Sequence, residues 1–106
     1  MEDEEVQVDP LIQDVKDYLH ITWIDANTDK NLIGFISRGK ARLQTIAGVS
    51  LDFTVEDLPK TLLLDYCRYA NSQALEMFEK NFAQELMSLH ITSQVNAMPD
   101  EVVIIV

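Results

Sequence analysis

The longest apolar pattern in the chain extends from Asp57 to Asn81 and predicts one long helix. Its polar side chains recur every three or four residues and so form a narrow stripe; they are Thr61, Asp65, Arg68, Ser72, Glu76 and Glu79. Pro59 suits the first helical turn, where its missing N–H costs nothing. Because a helix that is apolar on most sides must be covered on most sides, we expect the other segments to pack around this one.

Shorter helical patterns lie on both sides of this segment. Asp9 followed by Pro10 is a signal for a helix start, and the apolar spacing that follows predicts a first helix to about Leu19. Beyond Asn81, further apolar residues at helical spacing predict a last helix to about His90. The pattern therefore predicts an all-α fold, a small bundle of about four helices around a long central helix.

The second predicted helix covers Lys30 to Ala47, with Thr28 or Asp29 as its cap and Gly48 as the residue that ends it. Four of the eight basic residues lie on this helix, namely Lys30, Arg38, Lys40 and Arg42. Three interpretations of this basic face stay open: a solvated helix surface, a contact with an acidic neighbour, or contact with DNA phosphates.

The two ends of the chain differ from the helical part. Residues 1–8 are polar, highly charged and without periodicity, so we predict a mobile acidic arm there, followed by a helical domain over residues 9–91. We predict an extended tail over residues 92–106, in which Pro99 precedes the aliphatic residues Val102, Val103, Ile104, Ile105 and Val106. Either this tail folds back over its own domain, or it docks as a strand on another subunit or protein.

The charge balance is strongly acidic, with 18 acidic and 8 basic residues and a formal net charge of −10. Such a surface argues against a protein that grips a phosphate backbone. It suits either plain solubility or a wall that repels DNA, so that DNA slides past it.

The sequence offers no recognisable active site. Cys67 lies inside the apolar helix and is expected to be a buried small hydrophobe, while His20 and His90 have no cysteine or carboxylate at metal-ligand spacing. The chain has three glycines and no phosphate-binding loop, so we predict neither enzymatic activity nor a bound cofactor or metal. It also lacks an apolar run long enough to span a membrane and a basic leader, so we expect a soluble, cytosolic protein.

Several segments, in their order and spacing, resemble the small head–tail connector (head-completion adaptor) proteins of tailed bacteriophages and prophages. They are Tyr18–Ile21, the acidic connection through Asp25 and Asp29, Leu32 and Ile33, Ile36, Ala41, Ile46–Gly48 and the helix that starts at Pro59. The likeness covers roughly Leu11 to Ile91. His20 stands where a basic residue is common in the family, and the terminal aliphatic run has no counterpart in the pattern.

The resemblance implies a virion structural protein at the head–tail interface, which is located in the host cytoplasm during assembly. About a dozen copies would form a ring beneath the portal protein and extend the channel through which double-stranded DNA leaves, without sequence-specific binding and without a membrane. The ring would offer a surface to a tail-side connector or stopper protein. Within this interpretation, the proposed subunit contacts are Arg38, Lys40 and Arg42, and the proposed channel-facing acids are Asp65, Glu76 and Glu79.

A second hypothesis comes from a different class of protein. A small acidic helical regulator, or a mimic of DNA that binds a basic protein through its carboxylates, would have the same composition. The two hypotheses differ in stoichiometry, because a regulator would remain a monomer or dimer while a connector assembles into a ring.

Overall fold

The computed structural model describes residues 9–97, and these residues form an all-α fold without strands. The five helices are α1 (Leu11–Tyr18), α2 (Ala26–Ala47), α3 (Leu58–Asn71), α4 (Phe78–Asn81) and α5 (Ala83–Asn96), with a 3₁₀ turn at Leu75–Met77 between α3 and α4. The predicted fold class, a small all-α bundle, is confirmed.

Contacts between side chains define the directions of the first three helices. Lys16 near the end of α1 lies 2.7 Å from Asp29 near the start of α2, whereas Asp9, before α1, pairs with Lys40 further along α2, so these two helices are antiparallel. Helix α3 runs in the same direction as α1, because Lys60 at its start contacts Asp14, whereas Asp65, further along α3, contacts Tyr18 at the end of α1.

Helix α5 returns antiparallel to α3. Asn81, just before α5, donates a hydrogen bond of 3.0 Å to the Tyr69 hydroxyl near the end of α3, while Leu89 and Ser93 line a cleft with Leu58 at the start of α3. Together with the first three helices, this gives an up–down–up–down arrangement in which α5 covers the C-terminal half of α2.

The core is centred on the crossing of α2 and α3. Buried apolar residues from every helix meet there; they include Val15, Leu32, Ile36, Leu43, Leu62, Leu63, Tyr66, Cys67, Phe78, Leu86 and Leu89. Gly39 lies directly beneath α3, and a Cβ atom there would stand 2.7 Å from Leu63 Cδ1 and 2.8 Å from Tyr66 Cδ1. The absent side chain therefore sets how closely the two helices approach. As predicted, α3 lies at the centre and Cys67 is buried.

The predicted long helix from Asp57 to Asn81 is wrong in its length. Helix α3 ends at Asn71 because Gln73 adopts a left-handed conformation with φ 57°, and the next N–H, that of Ala74, bonds back to the Tyr69 carbonyl. This is a Schellman ending, which usually needs glycine at the left-handed position. The chain then reverses through the 3₁₀ turn, and α2, not α3, is the longest helix.

Three other boundaries also differ from the predicted ones. Helix α2 begins at Ala26, where the Asp25 carboxylate accepts a hydrogen bond from the Asn27 N–H, so neither Thr28 nor Asp29 is the cap. Helix α1 ends one residue earlier, at Tyr18. Helix α5 continues to Asn96, so residues 92–96, assigned to the extended tail, are helical. Gly48 does end α2 as predicted, with φ 78°.

Candidate interaction surfaces

The predicted basic face of α2 is largely engaged within the subunit. Arg42 forms a two-pronged contact with the Glu79 carboxylate on α4, at 2.5 Å from Nε and 2.9 Å from Nη2. The hydrogen bonds from Arg42 lower the pKa of Glu79. The structure thus joins a residue predicted to contact the next subunit with one predicted to face a channel, and both side chains remain about half exposed.

Lys40 and Arg38 differ in their surroundings. Lys40 pairs with Asp9, whose carboxylate also accepts a hydrogen bond of 2.9 Å from the Leu11 N–H at the start of α1. Lys40 therefore helps to fasten α1 to α2. Arg38 is exposed, and its guanidinium lies over the Phe35 ring at 5.5 Å from the ring centre. Among residues 9–97 Arg38 makes no ion pair, so of the three predicted contacts it is the one most available to another molecule.

The predicted channel-facing acids do not share one surface. Asp65 is buried, with 6% of its surface exposed; it accepts a hydrogen bond of 2.5 Å from the Tyr18 hydroxyl and one of 3.2 Å from Arg68 Nε. The bond to Asp65 raises the pKa of Tyr18, since the phenol donates to a carboxylate. The assignment of Asp65 to a channel surface is therefore wrong, because this carboxylate holds α1 against α3.

Glu76 is exposed, and it is the one predicted channel acid that makes no hydrogen bond or ion pair within residues 9–97. Several other carboxylates support local structure, because Asp25 and Asp57 accept backbone N–H groups at helix starts and Asp52 accepts two hydrogen bonds from Thr54. Residues 9–97 hold 12 of the 18 acidic residues and all 8 basic ones. The helical domain is thus less acidic than the whole chain.

An apolar stripe on α5 faces away from the core. Met87, Ile91 and Val95 are each more than half exposed and recur every four residues, so they align along one side of the helix. Beside them an open groove of about 360 Å³ is lined by Ile46, Glu79, Ala83, Leu86, Met87 and His90. We call this combined surface the α5 patch. The predicted last helix ends at about His90, so it does not include this stripe, although the spacing of four that continues to Val95 indicates it.

A second exposed apolar surface lies at the opposite end of α2. Trp23, more than half exposed, and Ile24, 94% exposed, precede the cap of α2 and form what we call the Trp23 patch. The α5 patch lies at the other end, because His90 Nδ1 is 2.8 Å from the Ile46 carbonyl oxygen. At 1.5 Å per helical residue, the two patches are about 30 Å apart along α2. Trp23 lies between the first two predicted helices, where no contact surface was predicted.

The described residues include one buried cysteine and no cluster of metal-binding side chains. Within residues 9–97 no group of three or more histidine, cysteine, aspartate or glutamate side chains is placed to hold a metal ion. Over the same range no helix is both long enough and apolar enough to cross a membrane. Burial raises the pKa of the Cys67 thiol to about 12, with a further contribution from the charge of Asp9, so this cysteine is a poor nucleophile.

The residues predicted for partner docking, Val102 to Val106, lie outside the described part of the chain. The described part defines a class of protein, a small all-α domain whose surface carries two separate apolar patches. Comparison with protein-family models, with curated proteins and with solved structures finds no match to this chain.

Proposed function

We propose that this chain is a virion structural protein of a tailed bacteriophage or prophage, a head–tail connector subunit that forms a ring beneath the portal. The ring extends the channel for double-stranded DNA and docks a tail-side component. The proposal begins from the order and spacing of the segments between Leu11 and Ile91. These segments fall on helices that pack together, since Leu32 and Ile36 are buried on α2 and Pro59 lies in the first turn of α3.

The observation that carries the proposal is the position of the two apolar patches. Trp23 and Ile24 lie at one end of α2, and Met87, Ile91 and Val95 lie near the other. A subunit with one attachment surface at each end can contact two neighbours at once, which is the requirement for a ring made by head-to-tail contacts. Exposed apolar patches of this kind are typical of surfaces that contact another molecule.

The remaining features support a structural role. Five of the eight basic residues form ion pairs within residues 9–97, and these pairs join neighbouring helices or successive turns of α3. Few basic side chains are left to hold a phosphate backbone, which suits a wall past which DNA moves. In the proposed ring we assign Glu76 to the channel, while the negative charge of Glu79 is partly balanced by the positive charge of Arg42.

The proposal is tested by deleting the coding sequence from the phage or prophage that carries it. Heads should fill with DNA but remain separate from tails, and a plasmid copy of the gene should restore infectious particles. Mass spectrometry of purified wild-type virions should detect the protein at roughly a dozen copies per particle. Normal tailed particles from the deletion strain would contradict the proposal.

The same preparations separate the connector from the acidic regulator. A regulator would be missing from purified virions and would be recovered from lysates as a monomer or dimer bound to a basic protein. Its deletion would change the amount of particles and leave their structure intact.

A further inference from the structure

We propose that the Trp23 patch of one copy docks on the α5 patch of a second copy, so that the chain associates head to tail. This inference names the contact used in the assembly described above and so rests on that function, but it is measurable on the purified protein alone. It assigns a partner to two apolar surfaces that are exposed among residues 9–97.

The distance between the Trp23 patch and the α5 patch excludes a contact between them within one subunit. The two patches lie about 30 Å apart along α2, which is a continuous helix of 22 residues, so they cannot meet within one subunit. Two copies related by a rotation can bring the Trp23 patch of one against the α5 patch of the other. Each copy then keeps one patch of each kind open for the next contact.

The groove of the α5 patch is lined by side chains that suit an aromatic ring. Ile46, Ala83 and Leu86 provide an apolar floor, and the Met87 thioether is a favourable neighbour for an aromatic ring. The volume of about 360 Å³ is large enough for an indole side chain.

His90 adds a polar partner for the indole N–H. Its Nδ1 lies 2.8 Å from the Ile46 carbonyl oxygen, and a carbonyl only accepts hydrogen bonds, so Nδ1 carries the proton. In the neutral ring Nε2 is then left as an acceptor. A buried tryptophan usually finds such a partner for its N–H, and His90 at the edge of the groove provides one.

The apolar area of the two patches determines how strong a single contact between them is. Each patch exposes roughly 300 Å² of apolar side chain, so a single contact would bury well under the ~1,200 Å² of stable interfaces. A contact of this size is weak between two free copies. It becomes stable when many copies are held side by side, since each later contact then forms at high effective concentration.

Trp23 is the only tryptophan in the chain, so its fluorescence reports directly on the contact. The full chain should emit as a solvent-exposed indole at about 5 μM, and the emission should shift to shorter wavelength as the concentration approaches about 1 mM. Sedimentation over the same range should show growing assemblies. Ile91→Lys should abolish both changes, whereas Val55→Lys, which alters an exposed apolar residue outside both patches, should abolish neither.

A mixture of two variants tests whether the contact is head to tail. Trp23→Ala keeps the α5 patch and has no fluorophore, and Ile91→Lys keeps Trp23 but has a damaged α5 patch. Neither variant should associate alone, whereas their mixture should form dimers only and shift the emission of the remaining tryptophan. Circular dichroism spectra that match the wild type would show that both variants fold.

Two results would overturn the contact. If Trp23→Ala alone still associates, the α5 patches pack against each other in a symmetric dimer. If the emission of the full chain does not change up to about 1 mM, the Trp23 patch has no site on a second copy. Neither measurement involves virions, so the contact can hold if the deletion strain makes normal particles, and it can fail if the virion assignment stands.

Discussion

At the residue scale, backbone conformation decides where the helices end. His20 and Gln73 have φ values of 60° and 57°, in the left-handed region that normally favours glycine. In each case the following N–H bonds to a carbonyl five residues back, from Ile21 to Lys16 and from Ala74 to Tyr69. These hydrogen bonds and the burial of Ile21 stabilise endings for which the sequence contains no glycine signal.

The contact at Gly39 gives a prediction with a matched control on the same helix. Gly39→Ala should lower the free energy of unfolding by about 1–3 kcal/mol, because the new methyl group would stand 2.7–2.8 Å from Leu63 and Tyr66. Gly34→Ala should raise it by about 0.5–1 kcal/mol, since its nearest neighbour is the flexible end of Arg38 at 3.2 Å and alanine favours a helix. Urea unfolding of both variants measures the difference. Equal effects would mean that α2 and α3 do not cross as closely as described.

The thiol of Cys67 predicts a pH dependence. In the folded protein its pKa is raised from 9.0 to about 12, so the unfolded chain ionises first as the pH rises. The contribution of the neutral thiol to stability should be complete below about pH 9 and should decline between about pH 9 and pH 12. The difference in urea midpoint between wild type and Cys67→Ala should shrink over that range. A difference that does not change with pH, or rapid reaction of the native thiol with a disulfide reagent at pH 8, would contradict the burial.

At the element scale, α5 supplies hydrogen-bond partners for the C-terminal end of α2. The side chains of His90 and Gln94 reach the carbonyl oxygens of Ile46 and Ala47, both at 2.8 Å, at a helix end that has no basic residue in its last turn. The carbonyl groups at a helix end need partners, and α5 supplies two of them. On α5 the buried residues Leu86, Leu89 and Ser93 face the core, and the apolar stripe lies on the side of the helix away from them, which is why it is exposed.

The contact between Arg42 and Glu79 predicts a measurable coupling between α2 and α4. Because both side chains are about half exposed, Arg42→Glu or Glu79→Arg alone should cost only about 0.5–1 kcal/mol, and the double exchange should recover most of it. Urea unfolding in low salt measures the cycle, and salt should reduce the coupling. If the cycle shows no coupling energy between the two positions, Arg42 is available to the next subunit, as predicted from the sequence.

At the scale of the whole molecule, the helical domain contains its own core. Fifteen buried apolar residues, from Leu11 to Leu89, form one continuous cluster within residues 9–97. The docking function proposed for Val102 to Val106 concerns residues outside the described part of the chain, and it stays a prediction.

Deleting residues 98–106 should leave the melting temperature of the helical domain nearly unchanged, because residues 9–97 by themselves contain a cluster of fifteen buried apolar residues. The same deletion should prevent incorporation into particles if the aliphatic run docks on another protein. Thermal unfolding of the truncated chain and mass spectrometry of virions measure the two effects. A large fall in melting temperature would show instead that the tail belongs to the core of its own subunit.

The sequence alone determined the all-α class, the start of α1 directly after Asp9 and Pro10, the end of α2 at Gly48 and the burial of Cys67. These features depend on local periodicity and on residues with a strong preference for one backbone conformation. Tertiary structure decided the break at Gln73, because apolar spacing continues across it and only packing of Phe78 and Phe82 against Tyr69 favours the reversal.

Tertiary structure also decided which charged residues form contacts within the subunit and which apolar residues are exposed to solvent. Asp65 is buried because Tyr18, 47 positions away, donates a hydrogen bond to it, and Arg42 meets Glu79 across 37 positions. Met87 and Leu86 are neighbours in sequence, yet one is exposed and the other buried. Periodicity identifies the sides of a helix, but only the packing of other helices determines which of those sides stays open to solvent.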